Sequence, residues 1–155
     1  NNLLSFNPHT LSKRGLSYRT ASLTLRKQEY AAFFNNMLDT LSGMADQERE
    51  APALIWHDGL YYCVTSGCTG WAPNSMLYAT TPRLSTGMKL IDDPAEGPDS
   101  RNTFHGQSTW IFEADGQPYL MLDHWQPNDL RHSGYSILPI EFDGERMTVR
   151  WRDEF

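Results

Sequence analysis

The sequence is poor in cysteine and has neither a basic stripe nor a long apolar run. Only two of its 155 residues are cysteine, Cys63 and Cys68, which excludes a disulfide framework. They lie five residues apart and would need a turn to meet, so two buried thiols are the favoured interpretation. With 13 basic and 19 acidic residues the net charge is −6, and no nucleic-acid partner is expected. No apolar run approaches the roughly 20 residues of a membrane span, so no membrane partner is expected either.

Several familiar site patterns are also missing. There is no Cys/His zinc pattern, no glycine-rich phosphate loop and no convincing Ser-His-Asp order. The five histidines are scattered along the chain, so the sequence predicts no metal site. The chain starts at Asn1-Asn2 with neither Met nor a leader segment. A removed signal peptide and a fragment of a longer chain are both open interpretations.

One stretch, about Leu25 to Met44, differs from the rest of the chain. Its apolar residues recur at intervals of three and four, which places them on one helical face. They are Tyr30, Phe33, Phe34, Met37, Leu38, Leu41 and Met44. The pattern predicts an amphipathic helix that packs on a sheet, and a partner-binding helix is the alternative.

From Glu50 onward the pattern changes to strand, turn and strand. Asp58-Gly59 separates two β-rich runs, 53–56 and 60–65, and Asp-Gly there is a strong signal for a tight hairpin. Further short strands are predicted at Met76–Thr80 and Met88–Ile91. Near the start of the chain, Leu3–Phe6 is a candidate strand that Asn7-Pro8 would end.

The same pattern returns 57 residues later. The shift carries Asp58-Gly59 onto Asp115-Gly116, Leu54-Ile55 onto Ile111-Phe112, Tyr78 onto Tyr135 and Leu90 onto Met147. Each copy therefore predicts four strands with the same first turn.

A unit of about 40–50 residues with four strands is typical of a β-propeller blade. The predicted fold is all-β: a partial five-bladed β-propeller with about two complete blades, an N-terminal strand and a helical insertion near 25–44. Residues 1–49 would form the end of a preceding blade plus the insertion, and 50–106 and 107–155 one blade each. Two blades leave sheet edges open, so missing blades or a second copy are candidate partners.

Two polar residues occupy the same place in the two copies, before the first strand. They are Glu50 and Gln107. In a propeller these positions lie near one mouth of the central axis. A buried glutamate there could protonate a departing glycosidic oxygen, whereas a glutamine cannot ionise and could only orient water or a hydroxyl. A surface carboxylate within the charged run 46–50 is the alternative for Glu50.

These residues resemble family 43 glycoside hydrolases. Glu50-Ala-Pro52 followed by Gly59-Leu-Tyr-Tyr62 looks like the family's acid motif. The string from Thr65 to Asn74, with Gln107-Ser-Thr109, is similar to the exo-β-1,3-galactanase-like branch. Further similarities to this branch are Asp123-His-Trp125 with Pro127-Asn128, Leu138-Pro139 and Arg150-Trp-Arg-Asp-Glu154.

The resemblance implies an inverting glycosidase, with Glu50 as general acid and Gln107 on the water side. It implies substrate contacts from Trp71, Asn74, Asp123, Trp125 and Asn128. The alternatives from sequence are a core tryptophan for Trp71, a strand-end cap for Asp123, and turn residues for Asn74 and Asn128, which is the more common role of asparagine in such segments.

The resemblance also implies an oligo- or polysaccharide substrate such as β-1,3-galactan, an extracellular or periplasmic location and no required cofactor. A structural Ca²⁺ ion is a further expectation, with His124 as a ligand or water contact. A hydrogen-bonded histidine at a strand end is the favoured alternative. Two other functions stay open: a non-catalytic carbohydrate-binding propeller fragment, and an assembly piece that is stable only beside other blades.

Overall fold

The computed structural model describes residues 3–5, 49–70, 72–84 and 86–153. The helix predicted near 25–44 and most of the predicted unit 1–49 lie outside these residues. The described part is mostly β, as the sequence predicts.

The strands form two five-stranded sheets, the first antiparallel and the second antiparallel except for one edge pair. The first sheet is ordered β1-β2-β3-β4-β5, and the second is ordered β6-β10-β9-β8-β7. The bounds in the first are β1 Leu3–Ser5, β2 Arg49–His57, β3 Leu60–Gly67, β4 Leu77–Thr81 and β5 Lys89–Asp92. Those in the second are β6 Ala95–Glu96, β7 Gln107–Ala114, β8 Gln117–His124, β9 Gly134–Asp143 and β10 Arg146–Arg150. Short 3₁₀ segments cover Ser100–His105 and Leu130–His132.

The repeat deduced from the sequence is present in the strands. A shift of 57 residues carries β3 onto β8 residue for residue, and it carries the starts of β4 and β5 onto those of β9 and β10. The first strand of each copy also has a bulge near its beginning, between Glu50 and Ala53 in β2 and between Ser108 and Trp110 in β7. The two copies thus share an irregularity as well as their regular strands.

Both Asp-Gly pairs form the predicted hairpin turns. The φ angles are 42° and 87° at Asp58 and Gly59, and 50° and 79° at Asp115 and Gly116. Positive φ at both central residues is the signature of the type I′ turn, whose twist matches that of the flanking strands. The prediction of these two hairpins is confirmed.

Two features of the sheets were not predicted. β6 is a two-residue strand that pairs in parallel with β10 at the edge of the second sheet. β1 pairs antiparallel with β2, with Leu3 opposite Ile55. The strand at Leu3–Phe6 was predicted although its pairing was not, whereas β6 is too short to show the alternation or turn signals that make a strand visible in sequence.

The core lies between the two sheets. Alternate residues of β2 and β3, with Tyr78 of β4, point into it from the first sheet, and residues of β7 to β10 point into it from the second. Among them are Tyr62, Val64, Tyr78, Ile111, Leu120, Leu122, Leu138 and Val149, each at most 2% exposed. Their burial against one another holds the two copies in a fixed relation.

Two tyrosine hydroxyls tie the first sheet to the β9–β10 turn of the second. The hydroxyl of Tyr62 donates to the carbonyl of Gly144 at 2.6 Å. The hydroxyl of Tyr78 accepts from the backbone N–H of Met147 at 3.1 Å. Buried hydroxyls cost free energy when unpaired, so these bonds fix the register of one sheet on the other.

Cys63 and Cys68 form no disulfide bond. Cys63 is buried on β3 and Cys68 is exposed just after it. Burial raises the pKa of the Cys63 thiol to about 12, which makes it an inert core residue. The expectation of two buried thiols therefore holds for Cys63 and is wrong for Cys68, because the loop after β3 carries Cys68 to the surface.

Candidate active site

Glu50 and Gln107 are in direct contact. Nε2 of Gln107 donates to Oε1 of Glu50 at 2.9 Å and to Oγ of Ser66 at 2.8 Å. The contact joins the starts of β2 and β7, which the sequence placed at one pocket mouth because of the repeat. A carboxylate, an amide and a hydroxyl thus meet where the two sheets come together.

The backbone around Glu50 is fixed by the second sheet. Ala51 has a φ of 51°, a left-handed conformation that costs a non-glycine residue roughly 1–2 kcal/mol. Its carbonyl accepts a hydrogen bond from Oγ of Ser108 at 2.8 Å. Strained residues persist only where the surroundings hold them, and here the bulge re-aims Glu50 toward β7.

The backbone of the segment that precedes Gln107 is strained as well. Thr103, Phe104 and His105 all have positive φ, between 51° and 63°. Thr103 and Phe104 are buried, and the Thr103 hydroxyl donates to the carbonyl of Asn74 and accepts from the N–H of Met76. A Cβ at Gly106 would lie 3.0 Å from the carbonyl oxygen of Asp123, so any other residue would have to displace β8 slightly, whereas glycine fits this close approach.

A cavity of about 270 Å³ opens beside this contact. Its walls come from three places: the end of β3 with the loop that follows, the segment that enters β7, and the end of β8. The lining residues are Ser66, Gly70, Ala72, Pro73 and Asn74 from the first, His105, Gly106 and Gln107 from the second, and Asp123 and Trp125 from the third. Glu50 does not line the cavity, and its link to the cavity wall is the hydrogen bond from Gln107. The volume is just below the ~300–1,000 Å³ typical of small-molecule sites and suits a single sugar ring.

Asp123 places a second carboxyl in this cavity. It is the ladder partner of Gln107, and it occupies in β8 the place that Ser66 occupies in β3. Burial raises the pKa of Asp123, and the neighbouring charge of His124 partly offsets the effect. The Asp123 carboxyl accepts no hydrogen bond from any residue that the structure describes, which leaves it available to a hydroxyl in the cavity.

The raised pKa of Asp123 predicts a pH-dependent cost to stability. Because the carboxyl holds its proton more tightly in the folded than in the unfolded chain, folding free energy is lost as pH rises from about 4, the unfolded pKa, through the folded pKa. We expect Asp123→Asn to unfold at a higher temperature than the wild type at pH 7, with the difference vanishing at pH 3. Thermal unfolding at both pH values measures it. A variant less stable than wild type at pH 7 would contradict the assignment.

His124 is held by both ring nitrogens. Nδ1 lies 3.2 Å from the carbonyl oxygen of His105, which can only accept, so Nδ1 carries a proton. Nε2 lies 2.7 Å from Oγ of Ser136. With both nitrogens engaged, His124 does not fit as a direct metal ligand.

Within residues 49–70, 72–84 and 86–153 no group of three His, Cys, Asp or Glu side chains could hold a metal ion. The structural Ca²⁺ stays a prediction.

The loop after β3 is braced by Asn74 and Arg49. The Asn74 side chain accepts from the N–H of Gly67 at 2.7 Å, and its amide donates to the Gly67 carbonyl and the Thr69 hydroxyl. Arg49 donates from one nitrogen to the carbonyls of Thr65 and Ser75, at the two ends of the loop. Burial lowers the pKa of this arginine. One cavity wall is thus pinned at both ends.

Asn74→Ala should loosen this wall. The variant removes three hydrogen bonds, and we expect amide exchange at Gly67 to speed up by about tenfold or more, with a loss of about 1–2 kcal/mol in unfolding free energy. Hydrogen exchange of peptides covering 66–76 measures the change. Asn128→Ala is the matched control, because Asn128 lies on an exposed turn. Unchanged exchange in Asn74→Ala would show that the loop is held by other contacts.

The predicted substrate residues are only partly brought together. Asn74, Asp123 and Trp125 line the cavity with Gln107, whereas Asn128 does not. Trp71 lies outside the described residues. Ser66 and Arg49 were not among the residues predicted from the sequence. The repeat contained a signal for Ser66, because the 57-residue shift carries it onto Asp123.

The fold matches solved structures of sugar-cleaving enzymes. A family 43 β-1,3-galactosidase in complex with galactodeoxynojirimycin is 38% identical, with a TM-score of 0.66, over 69% of this chain and 32% of that one. An exo-β-1,3-galactanase from Clostridium thermocellum is 33% identical, with a TM-score of 0.56, over 65% and 23%. The exo-β-1,3-galactanase from Phanerochaete chrysosporium, solved with galactose, is 26% identical, with a TM-score of 0.59, over 65% and 23%.

These matches relate the chain to glycoside hydrolase family 43. More narrowly, the similarity is to the exo-β-1,3-galactanase-like branch, as the sequence motifs predicted. The chain spans 32% of the length of the first of these structures and 23% of each of the other two. No family model and no curated protein matches it. None of the described helices has the length and apolar character of a membrane span.

Proposed function

We propose that this chain forms part of an inverting, exo-acting glycosidase that cleaves β-1,3-galactan or related arabinogalactan side chains. The observation that carries the proposal is the contact of Glu50 with Gln107 beside a cavity of single-sugar size, in a fold shared with β-1,3-galactosidases. The proposal includes a five-bladed propeller, in which the two sheets are neighbouring blades completed by further blades or a second copy.

Glu50 acts as the general acid in this proposal. Its Oε1 accepts from Gln107, while Oε2 accepts no hydrogen bond from any described residue and is free to carry the proton. Protonation of the glycosidic oxygen makes the aglycone a better leaving group as the sugar develops oxocarbenium character. The O–H bond of Glu50 breaks, and the glycosidic bonding pair leaves with the protonated oxygen.

The attacking water approaches the opposite face of the sugar ring, so the bound sugar parts Glu50 from Gln107, which are in contact without it. Gln107 cannot take the water's proton at neutral pH, so we assign it to orienting the water through its amide oxygen. The proton that the water loses as its oxygen bonds to the anomeric carbon passes to bulk solvent. Asp123 accepts a hydrogen bond from a sugar hydroxyl, and Trp125 offers an apolar plane to the ring's C–H face. Trp71, Asn74 and Asn128 remain proposed substrate contacts. An extracellular or periplasmic location, where a polysaccharide is accessible, belongs to the same proposal.

A direct assay tests this function. Incubated with β-1,3-galactotriose, the chain should release galactose from one end, and proton NMR should show the α-anomer first, because inversion of a β-linkage gives the α-product. First appearance of the β-anomer would overturn the inverting mechanism. Saturable sugar binding with no release would instead favour a carbohydrate-binding fragment.

A further inference from the structure

Ser66 belongs to the candidate site, although no sequence motif singles it out. It is 2% exposed at the end of β3, where it is the ladder partner of Glu50, and it lines the cavity. Its hydroxyl lies 2.8 Å from Nε2 of Gln107. Ser66 therefore touches the one glutamine that faces the cavity beside the candidate acid.

The amide of Gln107 is held with its nitrogen toward these neighbours. An amide NH₂ has two hydrogens, and here one is directed to Oε1 of Glu50 and the other to Oγ of Ser66. The flipped amide would set its oxygen against Oε1 of Glu50, acceptor against acceptor, which is unfavourable. Oε1 of Glu50 therefore selects the observed orientation.

Ser66 also favours this orientation of the Gln107 amide, because the hydroxyl proton of Ser66 is directed away from Gln107. Oγ of Ser66 donates a weak hydrogen bond to the carbonyl oxygen of Gly67 at 3.4 Å, which leaves its lone pairs for Gln107. Both neighbours of the amide are then acceptors, and the amide oxygen is left over. That oxygen accepts no hydrogen bond from any residue among those the structure describes.

We propose that Ser66 is a positioning residue that locks the Gln107 amide so that its oxygen is presented to the cavity as an acceptor. The catalytic consequence rests on the proposed function. An amide oxygen can receive a proton of water or of a sugar hydroxyl, whereas a flipped amide would offer two further donors. When Glu50 is protonated its hold on the amide weakens, and the bond from Ser66 then maintains the orientation.

The orientation can be measured without any turnover. In ¹⁵N-labelled protein the Gln107 side-chain amide is assigned by its loss in Gln107→Glu. We expect its protons to exchange with water about fivefold to tenfold faster in Ser66→Ala than in wild type, the equivalent of one lost hydrogen bond. Ser66→Thr retains the hydroxyl and should restore protection. Ser136→Ala removes a hydroxyl that contacts His124 rather than Gln107, and it should leave the Gln107 amide unchanged.

Kinetics give the second readout. With β-1,3-galactotriose we expect Ser66→Ala to lower kcat by about fivefold to tenfold with little change in KM, since the orientation of water matters most in the transition state. If Ser66→Ala does not fold, Ser66→Cys substitutes a poor acceptor of similar size and should show the same direction of change.

The two readouts separate this inference from the proposed function. Protection of the Gln107 amide that depends on Ser66, in a chain that hydrolyses nothing, would support the positioning role and overturn the activity. If the protein hydrolyses the substrate but exchange of the Gln107 side-chain amide is the same in Ser66→Ala as in wild type, the positioning role alone is overturned. The same holds if Ser66→Thr does not restore the protection of that amide.

Discussion

Glu50→Gln is expected to lower kcat for β-1,3-galactotriose by about 100- to 10,000-fold, the range that general acid catalysis contributes. The substituted side chain keeps an oxygen that can accept from Nε2 of Gln107, so the hydrogen bond between β2 and β7 survives. The unfolding free energy should therefore change by less than about 0.5 kcal/mol. Initial rates and thermal unfolding measure the two effects separately.

Two comparisons sharpen the test of Glu50. Glu113→Gln, on an exposed stretch of β7, makes the same chemical change away from the cavity and should retain wild-type activity. An aryl galactoside with an acidic leaving group needs no protonation, so Glu50→Gln should cleave it at close to the wild-type rate. Equal loss on both substrates would show that Glu50 binds substrate or supports the site. Full activity on the oligosaccharide would remove Glu50 from the mechanism.

Leu120→Ala is expected to cause the largest loss of stability, about 2–5 kcal/mol. Leu120 lies on β8, is fully buried and belongs to the core between the two sheets. Truncation removes apolar contacts and leaves a cavity, because both sheets are fixed by their own ladders and cannot close the gap. Denaturant unfolding measures the change in free energy.

The control for Leu120 is another leucine of the second copy. Leu130 is 62% exposed, and Leu130→Ala should change stability by no more than about 0.5 kcal/mol. Similar small effects at both positions would mean that the two sheets do not share one core. The relation between Glu50 and Gln107 would then lose its structural basis.

The repeat made the site partly predictable from sequence. The two Asp-Gly turns align the two copies with each other, and this alignment alone assigns Glu50 and Gln107 to corresponding positions. In the structure the two side chains are joined by a hydrogen bond. Their chemical roles stay predictions. The five-bladed propeller also stays a prediction, because the sequence of a repeated hairpin unit shows what one blade looks like but not how many blades the complete fold has.

Other features depend on contacts that no local pattern encodes. Ser66 is one of many serines, and only its pairing opposite Glu50 gives it a role. Asp123 meets the cavity because Gly106 lets the segment before β7 approach β8 closely. β6 is too short to leave a periodic signal. In each case the deciding interaction joins residues far apart in the chain, or an element too brief to have a pattern.

The measurement that tests the central claim most directly is the structure of Glu50→Gln with β-1,3-galactotriose. The account predicts a terminal galactose in the cavity beside Gln107. A hydroxyl should lie within hydrogen-bond distance of Asp123, and the first glycosidic oxygen should be next to residue 50. A sugar bound at another surface, or one whose glycosidic oxygen lies out of reach of residue 50, would contradict it.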